Sequence, residues 1–296
     1  IDEQHKFGVK QRMELSKKGG ENCDILVMSA TPIPRTLIMT FYGDMDVSKL
    51  TEKPSYRKEI ISLSKPEIKI DEVIKFIKKE ITNKNQIFWV CPLIDQSNKL
   101  DYEAAVKKFE YLNKIFTGKV GLIHGSLKNE QKETVLKNFL DKKIQILVST
   151  TVIEVGIDFP NANVIVIENS NKFGLSQLHQ LRGRVGRSNM QATCILLYKK
   201  NLSENAKKRI NILKSTNDGF KIADEDMKLR GFGDILGYKQ SGIKEYKLAD
   251  PIHHEKLFKM AEMNIKEIEN KEQNLKKYEP LIKLYDKAEI INQIDS

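Results

Sequence analysis

The sequence predicts an α/β fold in which helices cover a parallel sheet, and three features of the chain support this. From Glu59 to about Lys200, short apolar runs alternate with segments whose apolar residues recur at helical spacing. Runs such as residues 86–93 are apolar at almost every position, as strands are when both faces of their sheet are covered. Residues 119–123 and 145–149 lead into polar turns. This alternation is typical of parallel strands joined by right-handed helical crossovers.

Local patterns predict the individual elements. The predicted strands are residues 24–30, 59–63, 86–93, 119–123, 145–149 and 163–168. Helices with one apolar stripe are predicted around residues 73–81, 105–116, 136–140, 206–213, 220–227 and 257–268. Ser203 is a predicted N-cap. The break at Asn217-Asp218-Gly219 divides the segment that follows Ser203 into two helices, which form a helical hairpin.

Length and composition fit a globular protein of two modest domains. The chain has 296 residues, of which 40% are hydrophobic and 30% are charged. No apolar run approaches the roughly 18 residues that a membrane helix requires, so we expect no membrane partner. The chain opens on Ile1 without a signal-like segment, and we interpret it as a fragment. Cys23, Cys91 and Cys194 lack zinc or disulfide spacing and are predicted to be buried thiols of a reducing compartment.

The net charge of +10 is compatible with a nucleic-acid partner. However, lysine, isoleucine and asparagine are abundant throughout, and such a compositional bias would produce the same excess. The charge alone therefore does not identify the partner.

The most informative stretch is residues 180–187, which reads QLRGRVGR. The guanidinium groups of Arg184 and Arg187 match the geometry of phosphate oxygens, while Gly183 and Gly186 would allow close backbone approach. Arginine on a rigid support can stabilise charge on a phosphoryl group during its transfer. The alternative is a solvated basic turn.

Polar residues follow the other predicted strands. Asp2 and Glu3 could bind Mg²⁺ through water and polarise an attacking water, although an acidic pair near a terminus is usually a solvated end. Residues 29–37, SATPIPRTL, form either a functional turn or an ordinary joint between strand and helix. His124 is either a satisfied core residue or part of a His-Gly-Ser turn at the edge of the sheet.

Several of these segments resemble motifs of superfamily 2 helicases. Residues 149–158, STTVIEVGID, resemble motif V, and residues 180–187 resemble motif VI. Residues 2–3, 29–37 and 86–93 are similar to motifs II, III and IV. The longer form DEQHKFGV is similar to the RecG family, in which arginine is usual at the position of Lys6; lysine keeps the charge but loses the planar fork.

The resemblance implies a role for each matching residue. The implied catalytic residues are Asp2, Glu3, Gln180, Arg184 and Arg187, with Asp2 holding Mg²⁺ through water. Gly156 and Asp158 would lie near the ribose of ATP, and Ser126, Thr150 and Thr151 would donate to DNA phosphates. The residues that would link hydrolysis to DNA movement are His5, Ser29, Thr31, Arg230 and Gln240.

Residues 218–242 resemble the helical hairpin and loop called the translocation motif of the RecG family, although a glycine-rich loop is otherwise a flexible linker. The resemblance predicts four regions. They are the end of a first RecA-like domain with its linker (1–56), a second RecA-like domain (57–200), the hairpin and loop (201–243) and a helical segment (244–296).

By resemblance, the whole protein would be a monomeric ATP-dependent DNA helicase of the bacterial cytosol and nucleoid. It would bind duplex and branched DNA, reverse stalled forks and migrate Holliday junctions in repair and recombination. Two alternatives stay open. Transcription-repair coupling factor shares the motor and the hairpin. An ATP-independent DNA-binding or interaction module would explain why no G-x-x-x-x-G-K-[ST] motif occurs in this sequence.

Overall fold

The computed structural model describes residues 2, 18–20, 24–29, 48–52, 54–92, 98–150, 159–230, 254–271 and 278–280. The described residues from 48 to 230 belong to one compact unit, and those from 254 onward belong to a second. The two units are described separately.

The first unit is built on a parallel sheet, and in the described residues this sheet has six strands. The strands are β1 (Ile61–Pro66), β2 (Gln86–Val90), β3 (Val120–Ile123), β4 (Ile146–Ser149), β5 (Ala162–Ile167) and β6 (Thr193–Tyr198). Their spatial order is β1-β6-β5-β2-β4-β3, and all neighbours run parallel. Central strand β2 therefore pairs through Ile87 with Val164 on one side and Ile146 on the other. The predicted parallel α/β fold is confirmed.

Helices connect the strands and extend beyond them. Those of the first unit are α1 (Ile70–Thr82), α2 (Asn98–Ile115), α3 (Asn129–Leu140), α4 (Leu175–Arg182), α5 (Glu204–Ser215) and α6 (Gly219–Arg230). Short 3₁₀ turns occur at Glu67–Lys69 and Ser170–Lys172. Ser203 caps α5 as predicted, because its Oγ accepts a hydrogen bond from the Ala206 N–H at 3.3 Å. Helix α7 (Glu255–Lys271) lies in the second unit.

The sheet is covered on both faces, which explains why its strands are apolar throughout. Successive residues of β2 point to opposite faces, so Phe88 joins one core cluster and Trp89 joins the other. The Phe88 cluster contains residues of α3, α4, α5 and α6, and the Trp89 cluster contains residues of α1 and α2. The ring centroids of Phe88, Phe139 and Phe159 are each 5.4 Å apart. This aromatic group anchors α3 to the centre of the sheet.

The cysteine prediction is confirmed for two of the three thiols, while Cys23 lies outside the described residues. Cys91 and Cys194 are buried and free. Burial raises the pKa of Cys194 to about 12, so its thiol stays protonated.

One element prediction is wrong within the described residues. Residues 24–29 were predicted to start a strand, but the structure assigns them no strand, and Leu26 is 70% exposed. The apolar pattern is present, yet a strand exists only where a neighbouring strand accepts and donates its backbone hydrogen bonds. Local sequence does not reveal whether that neighbour is there.

The aromatic group predicts a large difference between two adjacent residues of α3. Phe139→Ala should lower the free energy of unfolding by about 3–5 kcal/mol, because it leaves a cavity against two other rings. Leu140→Ala should cost less than about 1 kcal/mol, since Leu140 is 44% exposed. Urea denaturation of both variants checks this, and equal losses would contradict the assignment of Phe139 to the core.

Candidate functional site

The carboxyl ends of all six strands meet at one edge of the sheet, where open α/β folds bind ligands. His124 follows β3 and Thr150 follows β4, and these two strands are direct neighbours. Ser126 lies two residues beyond His124 and is exposed, whereas Thr150 is buried at 3% exposure. The structure thus brings Ser126 and Thr150 to the same edge of the sheet, and their contact with DNA phosphates stays a prediction. Thr151 lies outside the described residues.

His124 is buried in this edge, at 8% exposure. Its burial, together with the nearby positive charge of Lys132, lowers the pKa of the imidazole below its usual value. At neutral pH His124 is therefore neutral, and it can act through hydrogen bonds but supplies no positive charge for a phosphate.

An ion pair that the sequence did not predict fixes the middle of this edge. The Lys108 ammonium on α2 lies 2.6 Å from a Glu168 carboxylate oxygen just after β5. The same ammonium lies 5.4 Å from the centre of the Trp89 ring and 5.1 Å from that of Tyr111. The Cys91 thiol is 3.6 Å from the other Glu168 oxygen, and burial followed by the Glu168 charge raises the pKa of this thiol. Cys91 is therefore an inert structural thiol.

The candidate arginines lie at the other end of the sheet. Helix α4 starts after β5 ends and runs back, so the turn after it approaches the amino ends of the strands. The Ser188 Oγ donates to Asn163 Oδ1 near the start of β5, at 3.4 Å. A strand rises ~3.3 Å per residue, so strands of about six residues place this turn roughly 20 Å from the edge that carries Ser126. Arg184 and Arg187 therefore belong to a different part of the molecule from Ser126 and Thr150.

Gly186 shapes the turn that carries these arginines. Its φ of +72° lies in the left-handed region, and a Cβ there would come within 3.1 Å of Ala192 Cβ and 3.2 Å of Ile60 Cγ1. Gly183 differs, because its φ is −67° and a Cβ there would meet its nearest atom, a helix carbonyl, at 3.4 Å. Of these two glycines, only Gly186 has a backbone conformation that favours glycine, and it packs against Ala192 and Ile60.

Arg182 is the main residue of this region that sequence reasoning did not assign. It is 1% exposed and its Nη1 group donates to the carbonyl oxygens of Leu213, at 2.6 Å, and Thr216, at 2.9 Å. Its Nη2 group lies 2.9 Å from His179 Nδ1, which must accept because a guanidinium has only donors. Burial lowers the pKa of Arg182, an effect opposed by the negative charge of Glu59. No local sequence signal distinguishes this structural arginine from Arg184 and Arg187.

Arg182 joins α4 to the helical hairpin formed by α5 and α6. Leu213 and Thr216 lie at the end of α5, where helix carbonyls lack partners within the helix. A second link runs to α6, because the Ser176 hydroxyl on α4 donates to the Asp226 carboxylate at 2.6 Å. The hairpin is therefore fastened along α4, from its first turn to its last.

The other predicted site residues have the following positions. Gln180 is half-buried in the last turn of α4, and Arg184 and Arg187 are half-buried in the turn after it. Asp2 is exposed, Ser29 is half-buried, and Arg230 ends α6. Glu3, His5, Thr31, Gly156, Asp158 and Gln240 lie outside the described residues. In the described part of the chain no three His, Cys, Asp or Glu side chains form a metal cluster. The Asp2 carboxylate is of the kind that holds Mg²⁺ through water.

No helix in the described ranges is both long and apolar enough to span a bilayer.

Comparison with known families divides the chain into two matched parts. Residues 68–189 match the family described as the helicase conserved C-terminal domain. Residues 216–290 match the family described as ATP-dependent DNA helicase RecG, domain 3, C-terminal.

Individual relatives agree with this assignment. The chain is 48% identical over 254 residues to the ATP-dependent DNA helicase RecG of Bacillus subtilis, covering 85% of this chain and 37% of the relative. The RecG of Thermotoga maritima is 48% identical over 271 residues, covering 91% of this chain and 34% of the relative. The chain thus spans about a third of the length of these curated relatives.

Solved structures give the same result for the fold. A structure of RecG bound to a three-way DNA junction has 45% identity and a TM-score of 0.66, covering 87% of this chain and 33% of that one. The Mycobacterium smegmatis helicase Lhr bound to ssDNA and AMP-PNP has a TM-score of 0.52 at 15% identity, covering 71% of this chain and 30% of that one. The second likeness concerns the fold alone.

The two glycines of the turn should respond differently to the same substitution. Gly186→Ala places a Cβ in the left-handed region and crowds Ala192 and Ile60, and it should destabilise the protein by about 1–3 kcal/mol. Gly183→Ala needs no left-handed backbone and should change stability by less than about 0.5 kcal/mol. Chemical denaturation compares the two variants. A loss that is equal in both would mean that the left-handed turn is not what Gly186 supports.

Proposed function

Because the chain belongs to the RecG family of DNA helicases and matches about a third of its relatives' length, we propose that it is the C-terminal motor part of an ATP-dependent DNA helicase. The whole protein would hydrolyse ATP, move along duplex DNA, and remodel branched DNA by reversing stalled forks and migrating Holliday junctions. The observation that carries this proposal is the position of α4. This helix is linked to the hairpin through Ser176 and Arg182, and it leads directly into the turn that bears Arg184 and Arg187.

The turn after α4 would act on the nucleotide. Arg184 and Arg187 would donate to phosphate oxygens and stabilise the negative charge that develops during phosphoryl transfer, and Gln180 would help to orient the reacting groups. Asp2 and Glu3 would approach from a first RecA-like domain, with Asp2 holding Mg²⁺ through water to neutralise phosphate charge. Gly156 and Asp158 would lie near the ribose.

The carboxyl edge of the sheet would act on DNA. Ser126, Thr150 and Thr151 would donate hydrogen bonds to backbone phosphates, which position a duplex without reading its sequence. Ser126 is exposed and suits this role as it stands, while the buried Thr150 would need the chain around it to open. The neutral state of His124 fits a hydrogen-bonding role here.

The hairpin would carry motion between the two regions. It is attached to α4 by one buried guanidinium and one carboxylate–hydroxyl bond, so a shift of α4 would move α5 and α6 with it. Arg230, at the end of α6, and Gln240, in the glycine-rich loop, would lock that loop against its surroundings. His5, Ser29 and Thr31 would pass the state of the nucleotide to the DNA-contacting elements.

We further propose that the chain divides at residues 1–56, 57–200, 201–243 and 244–296, and that the protein is a monomer of the bacterial cytosol. The contact pattern of the described residues joins the hairpin to the α/β domain as one compact unit. The hairpin would therefore be an extension of the second RecA-like domain.

The nucleotide role of Arg187 can be tested in the protein that carries both helicase domains. Arg187→Ala should lower kcat for ATP hydrolysis by roughly 10³-fold, as loss of an arginine finger does, while the affinity for ATP changes less. Arg57→Ala, the same substitution at an exposed position ahead of β1, is the control and should leave kcat unchanged. If Arg187→Ala keeps kcat within a factor of about three, Arg184 is the next candidate. A wild-type protein without DNA-stimulated hydrolysis would favour the ATP-independent module.

The coupling role of the hairpin and loop predicts a separation of two activities. Arg230→Ala or Gln240→Ala should keep most of the DNA-stimulated ATP hydrolysis and lose fork unwinding, because only the transmission of movement is broken. Lys228→Ala is a matched control on the same helix, since its ion pair with Glu225 is exposed and contributes little. Both activities are measured on one preparation whose thermal melt shows it to be folded. A parallel fall of hydrolysis and unwinding, or no fall in either, would refute the coupling role.

A further inference from the structure

A cluster of lysines lies at the carboxyl edge of the sheet, on the side away from β3 and β4. Lys199 and Lys200 directly follow β6, and Lys207 lies in the first turn of α5. All three side chains are exposed. We call these three residues the β6–α5 lysine surface.

Two grooves run through this surface where β1 and β6 end. The larger one, of about 660 Å³, has Ser64, Tyr198, Asn201, Lys207 and Asn211 among its lining residues. It therefore offers hydroxyl, amide and ammonium donors in one place. The smaller groove, of about 440 Å³, is lined partly by Lys199 and Lys200. Donors of these kinds are the ones that contact phosphates and sugars in protein–DNA interfaces.

Acidic groups do not cancel the charge of this surface. Glu204 lies 2.8 Å from the Lys207 ammonium, and Glu67 lines the smaller groove. The Glu204 pair is exposed and so contributes little, and an ammonium has three donors, of which one carboxylate contact uses one. Three lysines against these two glutamates leave an excess of positive charge, which favours a polyanionic partner.

The position of the surface matches that of the proposed DNA contacts. In the sheet order, β6 lies three strands from β4 and four from β3. At ~4.8 Å per strand these separations are roughly 14 and 19 Å along the same carboxyl edge. Phosphates on one DNA strand are spaced ~3.4 Å along the helix axis, so about six base pairs would span the distance. One duplex could therefore contact Ser126 and the β6–α5 lysine surface together.

We propose that the β6–α5 lysine surface binds the phosphate backbone of duplex DNA, as a contact separate from Ser126 and Thr150 and from the glycine-rich loop. This inference rests on the proposed function, since it takes DNA to be the polyanion that the protein meets. The contact lies on α5, the helix whose end receives the Arg182 guanidinium. The proposed contact with duplex DNA therefore lies on α5, the helix that is attached to α4.

The salt dependence of duplex binding tests the proposal. The protein binds a fluorescently labelled 20-base-pair duplex of arbitrary sequence, and anisotropy gives the affinity at several salt concentrations. Lys199→Ala/Lys200→Ala/Lys207→Ala should reduce the slope of log affinity against log salt by about 2–3, because each lost phosphate contact removes ~0.9. The loss should be the same for duplexes of different sequence.

A second triple variant controls for general charge. Lys75→Ala/Lys78→Ala/Lys79→Ala removes the same charge from three exposed lysines of α1, on the opposite face of the sheet. Its slope should stay within about 0.5 of the wild-type slope. All six positions are exposed, so both variants should fold, and thermal melts verify this.

Any one of three results of the duplex assay would overturn the proposal. They are an equal slope change in both triple variants, an unchanged slope in the β6–α5 variant, and a wild-type protein that does not bind the duplex at low salt. If the β6–α5 variant instead loses binding only to poly-glutamate, the partner is an acidic polypeptide and the proposal is wrong. ATP hydrolysis is measured in parallel on both variants. In the protein that carries both helicase domains, absence of hydrolysis in the wild type refutes the proposed motor, whereas the slope difference tests the DNA contact by itself.

Discussion

The burial of one charged group, the Arg182 guanidinium, constrains how the helices of this protein are arranged. Removing a guanidinium from water is costly unless its donors are satisfied, and here two carbonyls at the end of α5 accept them. Those carbonyls form the negative end of the helix dipole, which favours a cation at that place. The planar fork reaches its partners only if α4 and α5 keep their relative position. The hairpin is thus fixed by an interaction that tolerates little displacement.

This constraint gives the two candidate regions a physical connection. The turn with Arg184 and Arg187 lies near the amino ends of the strands, and Ser126 lies at their carboxyl ends. The sheet between them is packed on both faces by two apolar clusters, so its two ends keep a fixed separation. Helix α4 runs between the two ends of the sheet on its surface and holds the hairpin at Ser176 and Arg182. In the proposed motor, movement would therefore pass along α4 and into α5 and α6.

The sequence was sufficient to predict most of the fold and only part of the site. Strands such as β2 and β5 were predictable because strands covered on both faces are apolar at every position, and α1 and α2 because their apolar residues keep one face. Residues 24–29 showed the same apolar signal without forming a strand, since pairing depends on a neighbour distant in sequence. Glu168 and Lys108 form their ion pair although they are 60 positions apart in the sequence, which no local pattern encodes. Among the arginines of QLRGRVGR, side-chain chemistry is identical, and only the packing of α5 shows that Arg182 is buried.

The same reasoning separates the two glycines of that segment and explains what each contributes. Gly183 has an ordinary backbone, and a Cβ there would make only van der Waals contacts, whereas Gly186 adopts a left-handed conformation against Ile60 and Ala192. These neighbours precede β1 and β6, so the turn rests on the amino ends of two adjacent strands. A flexible arginine-bearing loop would lose conformational entropy on meeting a phosphate, but a turn held by Gly186 on one side and Arg182 on the other has already lost it. The region between the buried Arg182 and the left-handed Gly186, which includes Arg184, is therefore suited to be a rigid support for phosphate-binding side chains.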